Sequence, residues 1–248
     1  MEKTDLVLTG AAPISPALLV WFQEIGLFIQ EAYGMSENFN VCTINPKNEI
    51  RLGSVGKVFP NQEVVIDPDT GEIKQRCAWL MQGYYKDVEN TAQTLRNGYL
   101  HTGDMGELSA DGFLKLTGRV KDIFKTSKGE YIVPGKIEML FLELPLVDQA
   151  CVMGTKYPQA FVIVGLSEIG KAMNIESLNE LLKSTLQLYN QNCMEYQKIK
   201  KVIIVKEEWT PDNGLLTPTL KMKRNSLSAK YEEGFEALYK LDEAVSWE

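Results

Sequence analysis

Between Gly53 and Leu116 the chain breaks into short strand-like runs, and this limits its fold more than any other feature. Val64-Val65-Ile66, Gly71-Glu72-Ile73, Leu80-Met81 and Gly112-Phe113-Leu114-Lys115-Leu116 are separated by turn signals such as Asp67-Pro68-Asp69-Thr70-Gly71. Several short strands at this spacing predict a small barrel or a meander. The segments on either side read differently. Upstream, Leu6-Val7-Leu8 predicts a buried strand that enters a loop at Thr9-Gly10. Ser15 is a candidate N-cap with Pro16 at the first helical position, Ala17 to Glu24 can be helical, and Gly26 stops the helix. Leu27-Phe28-Ile29 then reads as the next strand, so strand, helix and strand follow in the order of a parallel sheet covered by helices. A buried strand so near the first residue implies further sequence upstream.

Downstream of Gly118 the pattern is that of a compact α+β unit. Asp122 to Thr126 and Glu130 to Val133 flank a hairpin turn at Ser127-Lys128-Gly129. Pro134 precedes a helix from Ile137 to Leu144, and strands follow at Ala150 to Met153 and Phe161 to Leu166. Leu178, Leu181, Leu182, Thr185 and Leu188 recur at helical spacing between Glu176 and Tyr189. Val202 to Val205 is a further strand, and Arg224 to Leu241 is expected as one polar terminal helix. No internal repeat is visible.

Composition narrows the class. The 248 residues are 44% hydrophobic and 24% charged, which excludes a disordered tail, a collagen-like fibre and a coiled-coil rod. The formal charge is −7, and both halves are mildly acidic, so no basic domain offers a footprint for nucleic acid. Apolar runs such as Ala17 to Phe22 fall far short of the roughly 18 residues that span a bilayer. The charged start lacks the apolar core of a signal peptide. Cys42, Cys77, Cys151 and Cys193 are widely spaced and form no CxxC pair, which argues against a zinc site or disulfide framework and for a reducing, cytoplasmic compartment.

Four local patterns carry chemistry. Tyr33-Gly34-Met35-Ser36-Glu37 follows a strand, and a loop there would display a ring, a hydroxyl and a carboxylate at the edge where open α/β sheets bind ligands. Such a carboxylate can hold Mg²⁺. In Tyr99-Leu100-His101-Thr102-Gly103-Asp104-Met105-Gly106 the glycines would set Asp104 on a tight, exposed turn, where a carboxylate can chelate vicinal ribose hydroxyls. His101, the only histidine, has no partner acid nearby in sequence and reads as packed or solvated rather than catalytic. Gly118-Arg119 to Gly129 contains Lys121, Lys125 and Lys128, and Arg119 has the planar fork suited to ribose or phosphate. Leu216-Thr217-Pro218-Thr219-Leu220-Lys221-Met222-Lys223-Arg224 reads as an extended loop whose lysine can reach a distant phosphate. Taken singly, these patterns also fit an ordinary turn, a self-stabilised Asp, a solvated face and a basic helix flank.

In this order and at these spacings the patterns resemble the adenylate-forming superfamily of acyl-CoA synthetases, luciferases and peptide-synthetase adenylation domains. Thr9-Gly10-Ala11-Ala12-Pro13-Ile14-Ser15, Gly53-Ser54-Val55-Gly56-Lys57, Gly71-Glu72-Ile73 and Gly83-Tyr84-Tyr85-Lys86 support the resemblance, which covers essentially the whole chain. Leu216 to Arg224 looks most like the long-chain branch.

The resemblance implies an α/β fold. A partial large domain over 1–121, a sheet and helix remnant plus a small β-barrel, would precede a small mobile α+β domain over 122–248. It implies that Gly10, Ala11, Ala12, Ala32 and Tyr33 line the adenine, with Gly34 also among the nucleotide-binding residues. Ser36 would contact the α-phosphate, Glu37 would help bind Mg²⁺, and Asp104 with Arg119 would hold the ribose. Lys121 sits at the family's hinge, Lys125 matches the lysine of the thioester-forming conformation, and Lys221 matches that of the adenylating conformation. The loop Ser127 to Glu130 would lie near the pantetheine path.

Two residues depart from the pattern: Glu130 stands where some members carry Arg, and Leu220 where Gly is usual. The family's Ser/Thr/Gly-rich phosphate loop does not occur in these residues, so the resemblance implies the C-terminal part of a longer synthetase, inactive by itself. The implied substrates are a fatty acid, ATP and CoA. Any peripheral membrane contact would come from the preceding part. A carrier-protein acceptor in place of CoA, and a non-catalytic nucleotide-binding module, are the rival readings.

Overall fold

The computed structural model describes residues 6–11, 14, 16–231 and 234–248. Ala12, Ser15 and the other residues of that early loop on which expectations fell lie partly outside this set. The chain divides into two compact units, Met1–Lys121 and Asp122–Glu248.

The first unit opens with β1 (Leu8–Thr9), α1 (Pro16–Glu24) and β2 (Gln30–Tyr33). β1 and β2 pair in parallel through Leu8↔Gln30 and Thr9↔Glu31, with the helix between them, as the order of elements predicts. Two details differ. Leu6 and Leu8 are about half exposed, because β2 is the sole strand partner of β1 among the described residues. The second strand begins at Gln30, not Leu27, and leaves Phe28 exposed. β3 (Thr43–Ile44) and β4 (Lys57–Val58) complete this sheet in antiparallel order.

Next come β5 (Gln62–Ile66), β6 (Glu72–Cys77), α2 (Val88–Thr94), β7 (Leu95–Arg96), β8 (Tyr99–Leu108) and β9 (Leu114–Arg119). They form an antiparallel meander in the order β5-β6-β8-β7, with β9 paired to the distal half of β8. No ladder among the described residues joins its ends, so the strands take the meander rather than the closed barrel. Leu80-Met81, expected as a strand, is irregular chain. Tyr33, Cys42, Val64, Ile73 and Leu114 make a compact core against which Val55, Val58, Ile66 and Leu116 pack.

The second unit begins with the expected hairpin, β10 (Phe124–Lys125) and β11 (Tyr131–Ile132), followed by α3 (Pro134–Leu142). β12 (Val147–Met153) and β13 (Phe161–Leu166) pair antiparallel. After α4 (Glu168–Ala172) and α5 (Ile175–Gln191), β14 (Val202–Ile204) joins β13 in parallel. α6 (Arg224–Tyr231) and α7 (Glu236–Lys240) lead to β15 (Val245–Trp247), parallel to β14.

Side chains alternate across a strand, and here both faces are apolar. Ala150, Val152, Val162 and Val164 face Ile137, Phe141, Leu178, Leu182 and Leu186 of α3 and α5. Cys151, Met153, Phe161 and Ile163 face Trp209, Leu227, Tyr231 and Tyr239 on the other side. The α5 stripe runs i, i+4, i+8, so Leu178, Leu182 and Leu186 are buried while Leu181 and Leu188 are exposed. The expected single terminal helix is two, and Phe235 and Tyr239 both return to the same core. Among the described residues no helix is long and apolar enough to cross a membrane.

Candidate functional site

Three of the expected site residues of the first unit, Tyr33, Asp104 and Arg119, meet at the middle of β8. Asp104 lies inside this strand and not on a turn: Gly103 adopts φ 71°, and the β6–β8 ladder shifts register between Glu72↔Met105 and Lys74↔His101, leaving extra residues on β8 there. Such a bulge re-aims side chains without ending the strand. Thr102, unnoticed in the sequence, fixes the bulge. Its hydroxyl donates to the Ile73 carbonyl at 2.8 Å and accepts the Asp104 N–H at 3.1 Å.

Directly across the ladder from Asp104 stands Arg119, the last residue of β9. Its Nε lies 2.9 Å from Asp104 Oδ1, an ion pair. The Tyr33 hydroxyl, at the end of β2, donates to Asp104 Oδ2 at 2.8 Å. One carboxylate oxygen therefore holds a hydroxyl donor and the other faces a cation, and both keep lone pairs free. The Asp104 side chain is 14% exposed and that of Arg119 is 44% exposed, so the pair keeps an open edge. Burial, and then the Asp104 charge, raise the Tyr33 phenol far above its usual range, and it remains a donor. The Tyr33 ring is buried in the core rather than displayed.

His101 has a partner after all. Its Nδ1 lies 2.8 Å from Glu72 Oε2, across the sheet, while Glu72 Oε1 accepts the Gly103 N–H at 3.0 Å. The histidine thus braces the bulge through Glu72, a role no local pattern could reveal.

The loop after β2 is equally constrained. A Cβ on Gly34 would come within 2.3 Å of the Asn40 backbone, so only glycine fits. The exposed Ser36 opens a single 3₁₀ turn, Ser36–Asn38. Asn38 is buried and donates through Nδ2 to Gln75 Oε1 at 2.5 Å, which ties the turn to β6. Glu37 Oε1 accepts the Tyr84 hydroxyl at 2.7 Å. Burial, and then this bond, raise the Tyr84 phenol.

Gly10 lies at the exposed end of β1, where an added Cβ would sit 3.1 Å from the Ala32 carbonyl oxygen; Ala11 follows at φ 66°. Ala12 lies outside the described residues. Among the described residues no group of three or more His, Cys, Asp or Glu side chains is gathered.

Lys121 ends the first unit within a 3₁₀ turn, Val120–Asp122. Lys125 and Lys221 belong to the second unit. Lys125 is exposed on β10, with Nζ 4.5 Å from the centre of the Tyr131 ring. Lys221 is exposed on a tight loop: Thr217 N–H donates to the Lys221 carbonyl at 2.8 Å, and Lys221 N–H donates to Thr217 Oγ1 at 3.0 Å. Leu220 adopts the left-handed conformation, φ 61°, in that loop. Arg224 does not extend the basic patch. Its guanidinium is bidentate on Glu138, at 2.8 and 2.9 Å, inside the second unit.

Known proteins give this geometry a context. Residues 1–85 match the sequence model of the AMP-binding enzyme family, and residues 121–243 match that of the AMP-binding enzyme C-terminal domain. The chain is 33% identical to long-chain-fatty-acid–CoA ligase 5 of Mus musculus, over 96% of the chain and 39% of that protein. It is 29% identical to long-chain-fatty-acid–CoA ligase FadD15 of Mycobacterium bovis, over 94% of the chain and 41% of that protein. The chain thus spans about two fifths of the length of these relatives.

Among solved structures, apo MatB from Rhodopseudomonas palustris aligns with TM-score 0.70 and 25% identity, over 95% of the chain and 46% of MatB. O-succinylbenzoate coenzyme A synthetase (MenE) from Bacillus subtilis, in complex with AMP, aligns with TM-score 0.71 and 24% identity, over 92% of the chain and 46% of MenE. The chain belongs to the AMP-binding enzyme family and is similar within it to long-chain fatty-acid–CoA ligases.

Proposed function

We propose that this chain is the C-terminal part of an ATP-dependent long-chain fatty acid–CoA ligase. A fatty carboxylate attacks the α-phosphorus of ATP and pyrophosphate leaves; the CoA thiol then attacks the acyl-adenylate carbonyl and AMP leaves. The observation that carries the reading is the Asp104 carboxylate, aligned by Tyr33 on one oxygen and Arg119 on the other with an edge open to solvent. Its remaining lone pairs suit the two vicinal hydroxyls of a ribose.

Gly10, Ala11, Ala32 and Gly34 lie near the adenine in this reading, and Ser36 contacts the α-phosphate. Glu37 is a lone half-buried carboxylate with Oε1 engaged by Tyr84. That fits Mg²⁺, which is commonly held by one or two carboxylates while phosphate oxygens and water complete its shell. When bound, the ion would neutralise phosphate charge. Lys221 serves adenylation and Lys125 serves thioester formation, with Lys121 as the hinge. An ammonium about 4 Å from a phosphate oxygen gains ~4 kcal/mol at an effective dielectric near 20, enough for one lysine to matter. The isolated chain is inactive in fatty-acid-dependent pyrophosphate exchange.

The test is AMP binding by the 248-residue chain, measured by calorimetry. Weak binding is expected, reduced at least about tenfold in Asp104→Ala, the loss of one charge-assisted hydrogen bond. Binding unchanged by this substitution overturns the ribose assignment, and robust pyrophosphate exchange by the chain alone overturns the fragment reading.

A further inference from the structure

The segment after β6 reaches back to Glu37. Gly83 presses against α2 so closely that an added Cβ would lie 2.8 Å from the Thr91 methyl, and its φ of 150° is one few L residues adopt. The Thr91 hydroxyl accepts the Tyr84 N–H at 2.9 Å and donates to the Asp87 carbonyl at 2.6 Å. Asp87 in turn caps α2, accepting the Asn90 N–H at 3.0 Å. The Met81 N–H donates to the Glu37 carbonyl at 2.8 Å, so backbone and side chain of Glu37 are both held from this segment. The Tyr84 hydroxyl takes one carboxylate oxygen at 2.7 Å.

We propose that Tyr84 is a positioning residue: anchored by Thr91 on α2, its hydroxyl fixes the rotamer of Glu37 and leaves the second carboxylate oxygen for a divalent cation carried by the nucleotide. This rests on the reading of Glu37 as a metal ligand. A glutamate side chain otherwise samples several staggered rotamers, and each use of the carboxylate must then select one of them. A donor that occupies one oxygen removes that cost before the ion arrives. Thr91 is part of the device because Tyr84 can hold Glu37 only if its own backbone is held.

The test uses the full-length ligase containing this chain and reads the Mg²⁺ dependence of adenylation at saturating ATP and fatty acid. Tyr84→Phe, which removes one hydroxyl and keeps the ring, should raise the Mg²⁺ concentration for half-maximal rate roughly five- to tenfold. The rate at saturating Mg²⁺ should fall by less than about threefold. Thr91→Val should shift the Mg²⁺ requirement in the same direction, whereas Thr91→Ser should restore it. Glu37→Gln, run in parallel, separates the two readings. If Glu37→Gln leaves the Mg²⁺ dependence unchanged, the metal role of Glu37 fails and the proposal fails with it. If Glu37→Gln shifts it and Tyr84→Phe does not, the proposal alone is overturned. In the 248-residue chain, ¹³C-labelled glutamate supplies a readout independent of turnover: the Glu37 carboxyl resonance should move in Tyr84→Phe, and an unmoved resonance counts against the contact.

Discussion

The two units are held together by different forces. The second buries both faces of one sheet, with large apolar clusters on either side, so most of its stability comes from area removed from water. The first has a small apolar core and leaves Leu8, Trp21, Ile25 and Phe28 exposed. Its loops are tied instead by buried amides. Asn38 donates to Gln75, Gln75 to the Val41 carbonyl at 3.0 Å, and Asn45 to the Ser54 carbonyl at 2.7 Å. Apolar burial is non-directional, whereas hydrogen bonds fix angles. The difference teaches why the convergent constellation, Tyr33 with Asp104 and Arg119, sits in the first unit, and why the second carries Lys125 and Lys221 exposed, on a short edge strand and a loop over an apolar base.

The sharpest way to break this contrast is to attack the ion pair buried in the second unit. Arg224 and Glu138 are 20% and 6% exposed, and the Glu138 carboxylate also accepts the Val152 N–H at 2.7 Å. Arg224→Met leaves that carboxylate buried and unpaired, and should cost about 3–5 kcal/mol. Adding Glu138→Gln should recover part of the loss, because it removes the buried charge and keeps an acceptor for the Val152 N–H. Urea unfolding followed by the fluorescence of buried Trp209 checks both. If Arg224→Met is silent, the ion pair contributes nothing and apolar area alone carries the second unit.

Next in size are the lysines, tested in the longer ligase proposed above. Lys221→Ala should lower pyrophosphate exchange by roughly 10²-fold, by analogy with removing one oxyanion donor, and spare thioester formation from supplied acyl-adenylate. Lys125→Ala should show the reverse. Equal losses in both half-reactions would refute the division of labour while leaving the family intact.

A smaller effect probes the polar economy of the first unit. Burial pushes the Glu31 carboxyl up to about 7, and its Oε2 has no hydrogen-bond partner. The unfolded chain loses this proton near the ordinary value of 4.5 and the folded chain only near 7. The folded state therefore binds more protons in between, and stability falls as pH rises through that window. Because the group is only partly buried, the expected loss is about 1–2 kcal/mol once solvent screening is allowed for. Glu31→Gln should flatten the profile, and a profile unaltered by this change would remove Glu31 as its source.

The smallest prediction concerns Leu220. It is exposed, and its left-handed conformation costs an L residue roughly 1–2 kcal/mol. Leu220→Gly should remove that strain, at some cost in unfolded-state entropy, for a net gain of up to about 1 kcal/mol. Leu220→Val should lose stability at the same site. Thermal melts of both variants give the sign.

Sequence alone determined most of the local elements. Pro16 begins a helix and Gly26 ends it because ring closure and the missing Cβ act on their own backbone. The apolar runs Ala150 to Met153 and Phe161 to Leu166 announced β12 and β13 as strands, and the leucines between Glu176 and Tyr189 announced α5. The order of motifs announced the family. What tertiary structure decided were the pairings between distant residues. Tyr33 meets Asp104 across 71 positions and Arg224 meets Glu138 across 86, while His101 finds Glu72 and Tyr84 finds Glu37. It also turned Asp104 from a residue of an exposed turn into one held on a strand bulge, and buried the Tyr33 ring. The physical reason is register. Residue types and local spacing specify whether a segment is strand, helix or turn, but which carboxylate faces which donor depends on how strands slide past one another, and a one-residue slip sends every side chain to the opposite face.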